Sequence, residues 1–143
     1  MINFTRLKDI REDHDLTQEE MAKIIGARRS TYSLWELGIN IIPLDSLNKF
    51  ANHFKLNVDY ILSLTDDRII KKGHNDFDFV SLGAKMKSIR KENGLSQKQL
   101  AEILKVSQPC INKYEHGTIS IPLDSLYRFA SKFNISLDDL LKK

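Results

Sequence analysis

A repeat with an offset of 79 residues constrains this chain more than any other feature. Leu16-Thr17-Gln18 returns as Leu95-Ser96-Gln97, and Ile42-Pro43-Leu44-Asp45-Ser46-Leu47 returns unchanged as Ile121-Pro122-Leu123-Asp124-Ser125-Leu126. Between and beyond these anchors the offset holds without a gap: Arg11, Ala22, Glu36, Gly38, Phe50, Ala51, Phe54 and Asp59 recur as Arg90, Ala101, Glu115, Gly117, Phe129, Ala130, Phe133 and Asp138. Of the 61 positions from 4 to 64, 20 are identical to their counterparts. A self-similarity of this length marks a tandem duplication, so whatever one copy folds into, the other must too. The expected division is copy one at 1–64, a linker at 65–79 and copy two at 80–143. The linker reading rests on a mixture of Asp66, Asp67, Lys71, Lys72, Gly73 and Asp76 without apolar period, within which Ile69 and Ile70 could extend a helix or dock on a copy.

Apolar residues recur at helical spacing, and almost no alternating β-branched pattern suggests strands, so the class is all-α with about five short helices per copy. In copy one Phe4, Leu7 and Ile10 mark a first helix. Thr17 caps a second, which carries Met21, Ala22 and Ile25 on one face, and Gly26 permits the next turn. A third helix puts Tyr32 and Trp35 inward and ends at Gly38. Pro43 precedes a fourth presenting Leu47, Phe50, Ala51 and Phe54, and Asn57 caps a fifth with Val58, Ile61 and Leu62 inward. In copy two the expected caps are Ser96, Ser107 and Ser136, with Pro109 in the first turn of the third helix, where a missing amide costs nothing.

Composition then excludes several classes. No apolar run approaches the roughly 18 residues of a membrane span and the N-terminus is mixed in charge, so a cytoplasmic location is expected and no membrane partner. One cysteine, Cys110, permits no intrachain disulfide, and the four histidines have no zinc spacing. His74, Asp76 and Asp78 are too weak a grouping to argue for a metal, so neither metal nor other cofactor is expected. No activated nucleophile, glycine-rich phosphate loop or paired ligand set suggests an enzyme. Charge is uneven: residues 1–64 carry 8 Lys and Arg against 9 Asp and Glu, whereas residues 80–143 carry 11 against 6.

Gln at the start of the second helix, Ala four residues on, a short turn and an aromatic-Glu-x-Gly close to the third helix resemble the Cro/C1-type (XRE) helix-turn-helix family. Gln18, Ala22, Trp35-Glu36-Leu37-Gly38 and Pro43 carry the likeness in copy one; Gln97, Ala101, Tyr114-Glu115-His116-Gly117 and Pro122 carry it in copy two. The resemblance covers all but the linker, and implies two tandem lambda-repressor-like five-helix domains. It also implies that helix three enters the DNA major groove and that the start of helix two sits against the phosphate backbone. On that basis the expected DNA-binding residues are Gln18, Arg28, Arg29, Ser30 and Ser33 in copy one, and Gln97, Ser107, Gln108, Pro109, Asn112 and Lys113 in copy two. Arginine offers a forked donor pair to guanine O6 and N7, while Gln and Asn suit adenine, so the copies should read different bases. The family match pairs Arg11 with Glu36 and Arg90 with Glu115 as structural ion pairs. Cys110 is expected to be a small filler more than a redox switch.

One departure from the family is that the loops after helix three, Ile39-Asn40-Ile41-Ile42 and Thr118-Ile119-Ser120-Ile121, hold no Lys or Arg. Their isoleucines suit packing between modules or chains. Two functional expectations follow. The first is a sequence-specific transcriptional regulator of double-stranded DNA, a repressor acting as an internal pseudo-dimer in the setting of a phage or conjugative plasmid. One chain would occupy an operator of two unlike half-sites, and the apparent lack of a sensor domain leaves control to abundance, competition or a regulatory protein partner. The second is an antitoxin or adaptor in which one copy, with the acidic first as its candidate, binds protein instead of DNA.

Overall fold

Why each copy becomes a bundle is visible in which side chains leave water. In a computed structural model, residues 2–68 and 78–142 are described; within them the chain is helical and divides into two units. Module one contains α1 (Thr5–Asp13), α2 (Gln18–Ile24), α3 (Arg29–Glu36), α4 (Leu44–Phe54) and α5 (Val58–Ile61). Module two contains α6 (Phe79–Glu92), α7 (Gln97–Leu104), α8 (Gln108–His116), α9 (Leu123–Phe133) and α10 (Leu137–Leu141). Each is all-α, as expected, and each has its own core.

In module one Leu7, Met21, Ile25, Tyr32, Leu47, Phe50, Val58, Ile61 and Leu62 are fully buried, each from the face its period assigned to the interior. Met86, Leu100, Leu104, Ile111, Leu126, Phe129, Leu137 and Leu140 do the same in module two. Burying an aliphatic or aromatic side chain stabilises by roughly 1.5–3 kcal/mol, and nothing covalent supplements this in a chain with one cysteine. Trp35 and Tyr114 occupy equivalent core positions at 5% and 6% exposure, so neither is a stacking platform. Phe54 is only half-buried, its ring 4.4 Å from that of His14.

The helix starts follow the duplicated sequence with two exceptions. Thr17 and Ser96 each form a complete capping box, with Glu20 and Gln99 as the returning partners. Ser136 accepts from the Asp139 amide. Ser107 stands at the N-cap of α8 in extended conformation, but its hydroxyl donates to Cys110 Sγ at 3.2 Å and accepts nothing from the first turn. Asn57 likewise stands at the N-cap of α5 without capping, because its amide is drawn away to donate to the Asp67 carbonyl.

A further duplicated device closes each bundle. Arg6 donates to the carbonyls of Tyr60 and Thr65 and to Asp66 Oδ1, while its counterpart Lys85 donates to the carbonyls of Asp139, Leu140 and Lys142. These cations satisfy backbone oxygens at and beyond the last helix that have no intrahelical partner. α6 already begins at Phe79, capped by the Asp78 carboxylate, and residues 65–68 are bonded to module one through Arg6 and Asn57. Ile69, Ile70, His74 and Asp76 lie outside the described residues.

Candidate nucleic-acid interface

The start of α3 is a poor helix start judged on stability alone. Arg28 holds the N-cap with no side-chain hydrogen bond, Arg29 follows, and the first turn contains no acid. Ser or Asp would cap better, and cations at a helix N-terminus oppose its dipole. Arg28, Arg29 and Ser30 are nevertheless all exposed, and Ser33, one turn on, is half-buried. Neither arginine forms an ion pair among the described residues, so both guanidinium groups are available to something outside the module.

In module two Gln108, Pro109, Asn112 and Lys113 project from α8 and, with Gln97 from α7, line one shallow concavity open to solvent. Five of the six residues expected there from the sequence are thus brought together. Ser107 is exposed at the helix start and does not line that concavity. The backbone makes the presentation firm: Gly117 closes α8 at φ +70°, and a Cβ there would lie 2.7 Å from the Val80 backbone. Only glycine fits that junction. Cys110 is half-buried, its sulfur accepting from Ser107 as described above.

Beneath each surface runs the same buried network. Arg11 Nε and Nη2 donate to the two oxygens of Glu36 at 2.7 and 3.1 Å, and Nη1 donates to the Leu16 carbonyl at 2.8 Å. Arg90 binds Glu115 at 2.6 and 3.0 Å and the Leu95 carbonyl at 2.9 Å. In both modules one carboxylate oxygen also accepts from the opening glutamine of the second helix, Gln18 at 3.0 Å and Gln97 at 3.1 Å. Burial opposes ionisation of Glu36, but donation from Arg11 and Gln18 and the arginine charge outweigh it and hold the carboxyl below its ordinary pKa. The Tyr32 hydroxyl is buried beside this carboxylate without a hydrogen bond of normal geometry, and burial, then the neighbouring charge, push the phenol far up. Copy two has Ile111 at that position and avoids the problem.

Some surface residues carry more contrast than the sequence reading gave them. Leu37, Ile39 and Ile41 are exposed at 68%, 66% and 44% at the end of α3 and in the loop beyond it. Their counterparts are His116, Thr118 and Ser120, and the half-buried Leu34 corresponds to exposed Lys113. Exposed Glu19, beside Gln18, corresponds to exposed Lys98. The signal was present in the duplication: aligning copies for differences, and not only for identities, picks out these five positions.

The helix-turn-helix family pattern matches residues 7–61 and again 86–140. The chain belongs to that family, in its Cro/C1 (XRE) form, twice over. Among curated proteins it is 44% identical over 62 residues to an uncharacterized HTH-type transcriptional regulator, YobD, of Bacillus subtilis, covering 43% of this chain and 55% of the relative. It is 33% identical over 60 residues to the antitoxin PezA of Streptococcus pneumoniae, covering 42% of this chain and 38% of that protein. It is 29% identical over 68 residues to the cryptic phage CTXphi transcriptional repressor RstR of Vibrio cholerae, covering 48% and 61%. Each match spans less than two thirds of the relative's length. No helix among the described residues is long and apolar enough to cross a membrane.

Proposed function

We propose that this protein is a sequence-specific regulator of transcription that binds double-stranded DNA through α3 and α8, and acts as a repressor of a mobile-element operon. The observation that carries the reading is the concavity of module two, where Gln97, Gln108, Pro109, Asn112 and Lys113 converge on the outward face of a helix-turn-helix unit. Amide and ammonium donors on one helix face suit base edges and phosphates together. Similarity to HTH-type regulators and to a phage repressor supports the reading, whereas the conjugative-plasmid setting rests on the family resemblance alone. In this reading the protein binds its ligand without transforming it.

The two modules stand in for the two subunits of an ordinary dimer. Their reading residues differ, so the operator has two unlike half-sites about 10 base pairs apart, on successive major-groove faces about 34–36 Å apart. A covalent link raises the effective concentration of the second module once the first has bound. Selection of bound fragments from random duplex DNA, followed by footprinting and ultracentrifugation of the complex, tests this. One chain protecting about 20 base pairs of asymmetric site is expected; two chains on a palindrome would overturn the pseudo-dimer.

One observation favours a second reading for module one alone. The exposed Leu37, Ile39 and Ile41, with Glu19 where module two has Lys98, make its outer face less suited to phosphate and more to protein. Similarity to an antitoxin points the same way. A selected site containing only one half-site, read by module two, would favour this reading over the first.

A further inference from the structure

The Arg90–Glu115 pair does more than hold α6 against α8. Glu115, whose side chain is fully buried, reaches Gln97, and Gln97 lines the outward concavity; one carboxylate thus connects the core to the candidate interface. A side-chain amide has two faces that differ in chemistry: its nitrogen donates twice, its oxygen only accepts. An ionised carboxylate can only accept, so Gln97 must turn its nitrogen to Glu115 Oε1, and one of its two N–H groups is used there. The second N–H has no partner among the described residues. Freed of Glu115, the amide could turn by half a revolution and offer a carbonyl to an anion in place of a donor. The bidentate Arg90 also matters, because it neutralises the carboxylate that would otherwise repel a nearby phosphate.

We propose that Glu115, held by Arg90, is a positioning residue for DNA: it locks the flip of the Gln97 amide so that an N–H stays committed to meeting a backbone phosphate. The inference rests on the DNA reading above and adds to it a role for two residues that touch no DNA. The same network in module one, Arg11–Glu36–Gln18, repeats it.

The full chain and a duplex obtained by selection serve for the test, with binding measured by fluorescence anisotropy across a salt series. Gln97→Ala removes one neutral hydrogen bond to a phosphate, so affinity should fall by roughly tenfold at every salt concentration while the log–log salt slope, which counts cationic contacts, stays unchanged. The double variant Arg90→Met with Glu115→Leu replaces the pair by apolar side chains of similar volume, which buried ion pairs often tolerate. It should lose the same affinity while keeping its thermal transition, and adding Gln97→Ala to it should change nothing further. A double variant with the wild-type affinity, or losses that add, would overturn the proposal, since a purely structural pair predicts one or the other. Should the double variant not fold, Glu115→Gln substitutes for it: its own amide both donates and accepts, so it no longer selects a flip, and the affinity should fall alike. Independently, NMR of nitrogen-labelled glutamine side chains in the free chain should show the Gln97 amide rigid before DNA is added; a freely rotating amide sinks the lock. Absence of binding to any duplex would instead sink the DNA reading itself.

Discussion

Modules one and two share a skeleton and diverge on the surface, and the division between what is kept and what has changed is informative. The ion-pair network repeats donor for donor, with corresponding distances within about 0.1 Å of one another. The capping boxes repeat as well. Yet Leu34, Leu37, Ile39 and Ile41 are replaced by Lys113, His116, Thr118 and Ser120 at the corresponding positions of the second copy. A packed interior punishes change from every side, whereas an exposed position answers only to what docks on it. Even the shared skeleton has one adjustment. α6 has 14 residues to the 9 of α1, and Gly83, where module one has Phe4, lets α6 lie against the backbone of α8.

Breaking the ion pair should have the largest effect. Glu115→Ala strands Arg90 in a buried setting and should destabilise module two by about 3–5 kcal/mol. Glu36→Ala should destabilise module one, and because Trp35 is the only tryptophan, its fluorescence follows that module alone while circular dichroism follows both. Two urea transitions that move independently would sharpen the comparison; concerted unfolding in both variants would break it. The Glu36 carboxyl also gives a pH signature. Its pKa is depressed in the fold, so its contribution is present above the unfolded value near 4.5 and is lost as pH falls through the lower folded value. Stability of module one should therefore decline in that acid window, and Glu36→Gln should flatten the decline.

Next in size is the helix contact. A Cβ at Gly83 would lie 2.2 Å from the Tyr114 carbonyl oxygen and 2.6 Å from that of Glu115, both of them backbone that cannot swing aside. Gly83→Ala should cost about 1–3 kcal/mol by forcing α6 and α8 apart, and the same thermal melt should show module one unaffected. A neutral Gly83→Ala would mean that the close approach of these helices is not what sets module two apart.

Much of this was legible in the sequence, for physical reasons that differ by residue. Helical period gave the class and the core, because Leu7, Tyr32, Phe50 and their counterparts have few alternatives to burial. Thr17 and Ser96 were legible as caps because a capping box is local, decided within four residues. Ser107 and Asn57 have the right identity and position but bond elsewhere, to Cys110 and Asp67, and a competing acceptor or donor brought in by the fold cannot be read from propensity. The link from Glu115 to Gln97 joins residues 18 apart through side-chain geometry, so pairing Arg90 with Glu115 by family likeness did not reveal it. Gly83 reads as an ordinary helix interruption until its neighbour across the bundle is known.

Reading residues should show smaller effects, visible only with DNA. Arg29→Ala in module one or Gln108→Ala in module two should each reduce discrimination at one half-site by roughly 1–3 kcal/mol and leave both thermal transitions in place, since both side chains are exposed. Competition binding with half-site mismatches measures this. If Gln108→Ala relaxes specificity and Arg29→Ala does not, module one is a protein-docking unit, and the difference between the modules is one of function more than of preferred bases.

The finest contrast lies between two serines that look alike in sequence. Ser96 accepts the Gln99 amide at 3.1 Å and receives the Gln99 side chain on its own backbone N–H, so Ser96→Ala removes one first-turn bond and disables the other's geometry. About 1 kcal/mol should be lost. Ser107 offers its hydroxyl only to a cysteine sulfur, a weak acceptor, and its extended backbone, not its side chain, sets the entry to α8. Ser107→Ala should therefore stay within about 0.5 kcal/mol of the parent in the same melt. Equal losses from the two would show that Ser107 caps α8 after all and that its bond to Cys110 is incidental. A near-zero loss would leave that position free of a capping role, as its replacement by Arg28 in module one already suggests.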